Sequence, residues 1–352
     1  MYALAVSERA RISPHPPARR DFQEAADLLR RGDVVVFPTE TVYGLGADAR
    51  SDRACREIFA RKGRPADNPL IVHVPRLEAA RPLTERIPPL AARLFEAFAP
   101  GPLSIVLPAG PAVSPVATAG SPSVAIRIPS HPIARELLEH SGVPIAAPSA
   151  NRSGRPSPTS AAMAFRDMGD RVDLILDGGP CVHGVESTVL AVGEEAVTVL
   201  REGAVTREML RELPGTELIL RDPSGAILDR SPSPGTRHAH YRPRARVRVL
   251  EREELEEVLR PGGEEAGAAA GAEVGRSILL YRGLPELSSS REDAVQRVLR
   301  MPDPASYAQG LFQFLFEADE RGDAEVIAEL PPAEGIGRAI RDRLLRAAGA
   351  DQ

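Results

Sequence analysis

Two rhythms of apolar positions alternate along the chain. DFQEAADLLRR (21–31) carries its apolar residues at helical spacing and runs into Gly32, a natural C-terminal stop. DVVVFP (33–38) is a short β-branched run closed by Pro38, which predicts a buried strand. SDRACREIFARKG (51–63) predicts a second helix ending at Gly63, and NPLIVHV (68–74) a strand. Further helices are predicted at RIPPLAARLFEAFAPG (86–101) and HPIARELLEHSG (131–142). Further strands are predicted at PLSIVLPAG, SVAIRIP, VPIAAPSA, DLILDGG, STVLAV and AVTVLREG. Strands and helices mix without strict βαβα order, so residues 1–212 are expected to form an α/β domain with a twisted mixed sheet.

The pattern then changes. Residues 221–245 are rich in Pro, Ser, Arg and His and lack apolar periodicity, so 213–245 is expected to be a linker. VRVLE, SILLYRG and AEVIAELP then read as strands among helices at EREELEEVLR, SYAQGLFQFLFEADERG and GIGRAIRDRLLRAAG. This compact alternation predicts a smaller Rossmann-like α/β domain over 246–352, with a low-complexity, mobile loop at 261–275.

Bulk properties narrow the classes. A length of 352 residues suggests two domains, and a net charge of −5 offers no global basic field for stable nucleic-acid binding. Cys55 and Cys181 make neither a disulfide framework nor a metal spacing. The N-terminus lacks a signal-peptide pattern, and no apolar run approaches the roughly 18 residues of a membrane span. A cytoplasmic protein without membrane attachment is expected. Of 44 basic residues, 43 are arginine, and Lys62 is the single lysine. Composition drift accounts for the arginines; an ammonium retained at one place suggests a site where a planar guanidinium does not substitute.

Four polar stretches could carry chemistry. PTETVYGLG (38–46) places Thr39, Glu40, Thr41 and Tyr43 at a strand end, where α/β proteins commonly bind ligands. Its GLGADA also fits a loose dinucleotide pattern, but Pro38 ends the strand six residues before the first glycine, so that reading is discounted. RKGRPADNPL (61–70) offers Lys62 and Arg64, a point charge and a fork suited to a polyphosphate. APSANRSGRPSPT (147–159) supplies small donors and backbone amides able to wrap a phosphate or ribose. HGVESTVLAV (183–192) with LREGAV (200–205) adds Glu186, Ser187 and Arg201, each a weak signal alone. No H-E-x-x-H, CxxC, G-x-S-x-G or P-loop is present.

In order and spacing, these stretches resemble the YrdC-domain family, with the match running from about residue 15 to 210. It rests on PTETVYGLG, the K-x-R of Lys62–Arg64, NPL, GPLS, AIRIP, the S-x-N of Ser149–Asn151, ESTV and LREG. The SPGTRHAHY linker and the domain after it resemble those of the long, two-domain threonylcarbamoyl-AMP synthases. The resemblance implies a nucleotidyltransferase that makes threonylcarbamoyl-AMP and pyrophosphate from L-threonine, bicarbonate or CO2, and ATP. Partner proteins would then transfer the group to ANN-decoding tRNAs. It further implies that Thr41, His73, Arg127, Ala147 and Ser187 line a threonine pocket. Lys62, Arg64, Asn68, Ser123, Ser149, Asn151, Ser157, Arg201 and His240 would hold ATP, with Lys62 and Arg64 catalytic. Ser233, Arg237, His240 and Tyr241 would face inward from a linker that closes as a lid over the labile product. No Asp-rich metal site is visible, so Mg²⁺ is expected to arrive as Mg-ATP.

The chain departs from the family pattern at Thr236, Ser104, Ala191 and Asp342, none of them in K-x-R or S-x-N. A YrdC-like RNA-binding or ribosome-associated module without synthase activity is the alternative reading, disfavoured by the net charge and the absence of tryptophan. A carbamoyl-adenylate transferase of the hydrogenase-maturation type would need an acylphosphatase-like segment and zinc-finger cysteines, which this chain lacks.

Overall fold

The structure, a computed structural model, describes residues 10–193, 196–214, 218–223, 241–259, 276–281 and 297–349. The expected lid residues Ser233, Arg237 and His240, and the low-complexity stretch 261–275, lie outside the described residues. Two compact units are present: residues 1–153 with 157–238, and residues 154–156 with 239–352.

The first unit is built on an eleven-stranded mixed sheet. Strand β2 (Val35–Phe37) shows why the run 33–38 had to be buried. Val34 and Val36 join Tyr43, Leu45 and Ile58 in one core, whereas Val35 and Phe37 join Phe22, Leu29, Ile133 and Leu137 in another. Alternate side chains of one strand therefore feed two cores on opposite faces of the sheet. Helices α1 (Arg19–Arg31) and α4 (Pro132–Ser141) cover the second face there, and α2 (Asp52–Lys62) contributes to the first. Each fully buried valine or phenylalanine of this kind contributes about 1.5–3 kcal/mol.

Strand β3 (Gly44–Asp48) was not expected, because GLGAD reads as a glycine-rich turn. It runs antiparallel to β2, with Gly44 opposite Phe37 and Gly46 opposite Val35. A Cβ on Gly46 would lie 2.6 Å from Ile145 Cγ2 and 2.7 Å from the Phe37 ring. The glycines therefore let a strand pass beneath a phenylalanine, and the dinucleotide reading is excluded. Ile219–Arg221 (β11), within the stretch expected as linker, pairs in parallel with β10 (Ala196–Arg201).

In the middle of this sheet β4 (Ile71–His73) pairs in parallel with β6 (Ser123–Arg127), which pairs antiparallel with β5 (Leu103–Pro108). Strand β5 in turn pairs in parallel with β9 (Thr188–Val192). Ile71, Ala125, Val106 and Val189 form a small separate cluster on one face. The period-two alternation puts His73, Arg127, Ser104 and Ser187 on that same face, one step further toward the strand ends.

The second unit carries a four-stranded, all-parallel sheet in the order β12 (Arg246–Leu250), β15 (Glu325–Glu329), β13 (Arg276–Tyr281), β14 (Arg297–Met301). Helices at Arg252–Leu259, Pro304–Arg321 and Gly337–Ala348 alternate with these strands, as the Rossmann-like pattern predicts.

Candidate active site

Four loops of the first unit meet where the polar stretches were expected to. Register explains the centre: His73 on β4 lies opposite Arg127 on β6, and Arg127 lies opposite Ser104 on β5. Three polar side chains thus stand on adjacent strands, about 4.8 Å apart, at the ends of strands in the middle of the sheet.

Arg127 is buried and points into the β2–β3 loop. Its Nη2 donates to Glu40 Oε1 at 2.7 Å and to Thr41 Oγ1 at 2.9 Å, while its Nε is buried without a partner. Glu40 Oε2 accepts from the Ser130 amide at 3.2 Å. Burial alone would raise the Glu40 carboxyl, but the adjacent Arg127 charge and these hydrogen bonds hold it below the usual range. Thr39 Oγ1 closes the turn by bonding to Thr41 Oγ1 at 2.8 Å and to the Val42 carbonyl at 2.7 Å.

His73 stacks edge-on to Phe37, and its Nδ1 donates to the Ile145 carbonyl at 3.3 Å. Burial and the Arg127 charge push its pKa down to about 3, so the ring is neutral at physiological pH. With Nδ1 carrying the proton, Nε2 is left as an acceptor.

On the other side of the site, α2 ends at Lys62 and Gly63 adopts the left-handed conformation (φ 63°) that turns the chain toward Arg64. The Lys62 ammonium does not stand free: Nζ donates to the Ser149 carbonyl at 2.5 Å and to the Asn151 carbonyl. The Ser153 amide returns a bond to the Lys62 carbonyl at 2.9 Å. K-x-R and S-x-N are therefore one structural unit, with the lysine holding the backbone of the serine–asparagine loop. Burial, then the nearby Arg64 charge, lower the Lys62 pKa. Arg64 bonds to the carbonyls of Asn68 (3.1 Å) and Pro69 (3.0 Å), and Asn68 Nδ2 is buried without a partner. Ser149 Oγ bonds to Asn151 Oδ1 at 2.5 Å.

The third and fourth loops are joined by Ser157 Oγ donating to Glu186 Oε1 at 2.6 Å. Ser187 pairs with Ser104 (2.8 Å), and Arg201 donates to its carbonyl (3.0 Å) and hydroxyl (3.1 Å). Ala147 is tied by its amide to the Ile71 carbonyl at 2.9 Å. Ser123 sits four residues before Arg127 at the far end of β6, about 13 Å away; its hydroxyl bonds to Ser121 at 2.9 Å. Tyr241, expected to face inward from the lid, packs its ring on Phe312 (5.2 Å between ring centroids) with the Arg343 guanidinium over it.

Ser104 and Ser130 were not among the expected site residues, and Glu40 was singled out only as part of the first polar stretch, with no role. Glu40 carried one signal, an acid placed between two threonines directly after a buried strand.

Comparison with known proteins gives the family. Residues 27–203 match the Sua5, YciO and YrdC family described as "Telomere recombination". Residues 205–349 match the threonylcarbamoyl-AMP synthase C-terminal domain. The threonylcarbamoyl-AMP synthase of Bacillus subtilis is 40% identical over 333 residues, covering 93% of this chain and 92% of the relative. That of Pyrococcus abyssi is 38% identical, covering 92% and 93%. A solved structure, P. abyssi Sua5 complexed with L-threonine, superposes with a TM-score of 0.83 at 35% identity over 98% of both chains. The fold is that of a YrdC-type nucleotidyltransferase with an appended α/β domain. The chain belongs to the threonylcarbamoyl-AMP synthase family.

Proposed function

We propose that this chain condenses L-threonine, CO2 or bicarbonate, and ATP into L-threonylcarbamoyladenylate and pyrophosphate. The observation that carries the reading is Arg127: a buried guanidinium with Nη2 committed to Glu40 and Thr41, and Nε held in the site without a partner. A buried donor of this kind costs about 1–3 kcal/mol until something accepts from it, and an amino-acid carboxylate is a matched acceptor. His73, neutral and fixed in one tautomer, offers Nε2 to the threonine hydroxyl or amine. Its low pKa makes it a weak base, so it orients rather than deprotonates.

Once neutral, the threonine nitrogen attacks the CO2 carbon, a C–O π pair moves onto oxygen, and the nitrogen loses a proton to water, which leaves a carbamate. A carbamate oxygen then attacks the α-phosphorus of ATP, and the bond to the β-phosphate oxygen breaks to release pyrophosphate. Such transfer relies on positioning and charge. Lys62 supplies both, by its charge and by ordering the carbonyls of Ser149 and Asn151, with Arg64 adding a second cation. Asn68 Nδ2 is a second buried donor without a partner, which this reading gives to the nucleotide. Ser123, Ser157, Arg201 and the lid residue His240 complete the nucleotide set, and Ala147 and Ser187 the threonine set. Among the described residues no three His, Cys, Asp or Glu side chains gather to hold a metal. In this reading Mg²⁺ enters as part of Mg-ATP. The product passes to proteins that transfer the threonylcarbamoyl group to tRNA in the cytoplasm.

Purified protein supplied with ATP, threonine and bicarbonate should release pyrophosphate only when all three are present. Release that ignores threonine or bicarbonate would refute the reading.

A further inference from the structure

Glu40 is bound to more of the site than any ligand-facing role requires. Its carboxylate takes Arg127 Nη2 on one oxygen and the Ser130 amide on the other. Its carbonyl accepts from the His183 amide at 2.9 Å. One residue thereby ties the β2–β3 loop to the β6–α4 loop and to the segment that leads into Ser187. Each of these three segments carries or adjoins part of the threonine set: Thr41 in the first, Arg127 at the end of β6 directly before the second, and Ser187 after the third.

The Arg127 guanidinium could otherwise rotate about its long side chain. With Nη2 clamped by Glu40 and Thr41, the plane of the fork is set, and Nε is left buried without a partner in the protein. The pair is buried together, each side chain 5% exposed, so water does not compete for the contact.

We infer that Glu40 is the positioning residue of the carboxylate seat, fixing Arg127 so that the site selects amino acids by a free carboxylate. The inference rests on the reading that the site takes L-threonine. It also goes against simple electrostatics. Removing the Glu40 charge leaves Arg127 more positive, which by itself would tighten an anionic ligand; lost positioning would weaken it.

The test titrates the full chain with L-threonine and with L-threoninamide, which keeps the ammonium and hydroxyl but lacks the carboxylate. Wild type should prefer threonine. Glu40→Gln should bind threonine at least tenfold more weakly and threoninamide within threefold of wild type, so that the preference collapses. KM for ATP should stay within threefold. Glu40→Asp keeps the charge but is too short to reach Arg127 and Ser130 together, so it should behave like Glu40→Gln. Thermal melts identify the temperature at which each variant is folded, and the aspartate variant carries the test if the glutamine variant does not fold. An unchanged preference in both variants, tighter threonine binding in Glu40→Gln, or wild-type behaviour in Glu40→Asp would overturn the inference. A wild-type protein that binds no threonine would instead sink the threonine reading itself, and that result appears before any variant is made.

Discussion

Glu40 in the first unit and Glu329 in the second are both buried carboxylates at strand ends, yet their environments drive them in opposite directions. Glu40 is 4% exposed and Glu329 2%. Burial raises both, but Glu40 is held below its usual range by Arg127, which is buried with it. Glu329 receives the Tyr281 amide at 2.7 Å and Arg252 at 3.2 Å, and still lies above its usual range. The Arg252 side chain is 42% exposed, so water screens its charge. A cation buried with its carboxylate offsets the cost of burial, whereas a cation shared with water offsets less of it. The first unit keeps a fixed anion to aim a cation; the second keeps a carboxyl that anchors the end of a sheet.

The largest effect is expected from removing the cation. Arg127→Met leaves Glu40 in the environment of an unpaired buried acid. Stability should fall by about 3–5 kcal/mol in urea denaturation. Threonine-dependent pyrophosphate release should fall at least 100-fold in protein that remains folded, about 2.7 kcal/mol of transition-state stabilisation. Turnover within threefold of wild type would remove Arg127 from the site.

A smaller effect should follow from Lys62→Arg, which keeps the charge. A guanidinium is larger than an ammonium and spreads its donors over a rigid plane, so it does not fit the buried space in which Nζ meets two carbonyls; turnover should drop about tenfold, roughly 1.4 kcal/mol, at unchanged fold. Wild-type turnover would reduce the lone lysine to an accident of composition.

The smallest and most direct test of the contrast is acid. Native His73 refuses a proton between pH 6.5 and about 3 that the unfolded chain accepts, so the first unit loses stability as pH falls through that window. The depressed Glu40 carboxyl adds to the same loss at lower pH, since its contribution is present above the unfolded value and disappears on protonation. Glu329 has the reverse sign: its raised carboxyl favours the native state at low pH, and that contribution is lost as pH rises through its folded value. Hydrogen exchange, corrected for intrinsic rates, should show first-unit amides losing about tenfold in protection from pH 7 to 5 while second-unit amides lose less. Equal losses in both units would erase the distinction between the two carboxylates.

Much of this was visible in the chain before the fold. Strong periodicity placed α1, α2, α4 and the central strands, because each buries an apolar face. Strand β14 (RVLRM) escaped because arginines interrupt its apolar pattern, and β3 because its glycines signal a turn to any local rule. The loops of the site were legible from residue chemistry: hydroxyls, an ammonium and amides gathered at strand ends. Their wiring was not. That Lys62 would grip the loop of Ser149 and Asn151, or that Glu40 would clamp Arg127, depends on strand register rather than on neighbours in sequence.

The sequence separations of these contacts also govern when the site can exist. Glu40 and Arg127 lie 87 residues apart, Lys62 and Ser149 also 87, and Ser104 and Ser187 83. None is local, so each must wait for the sheet to assemble around it. A ribosome adding about 5–20 residues per second needs roughly 10–40 s to deliver residue 187. The Glu40–Arg127 clamp can close only after residue 130 has been made, the Lys62 grip only after residue 153, and the Ser104–Ser187 pair last, so the parts of the site are completed in sequence order.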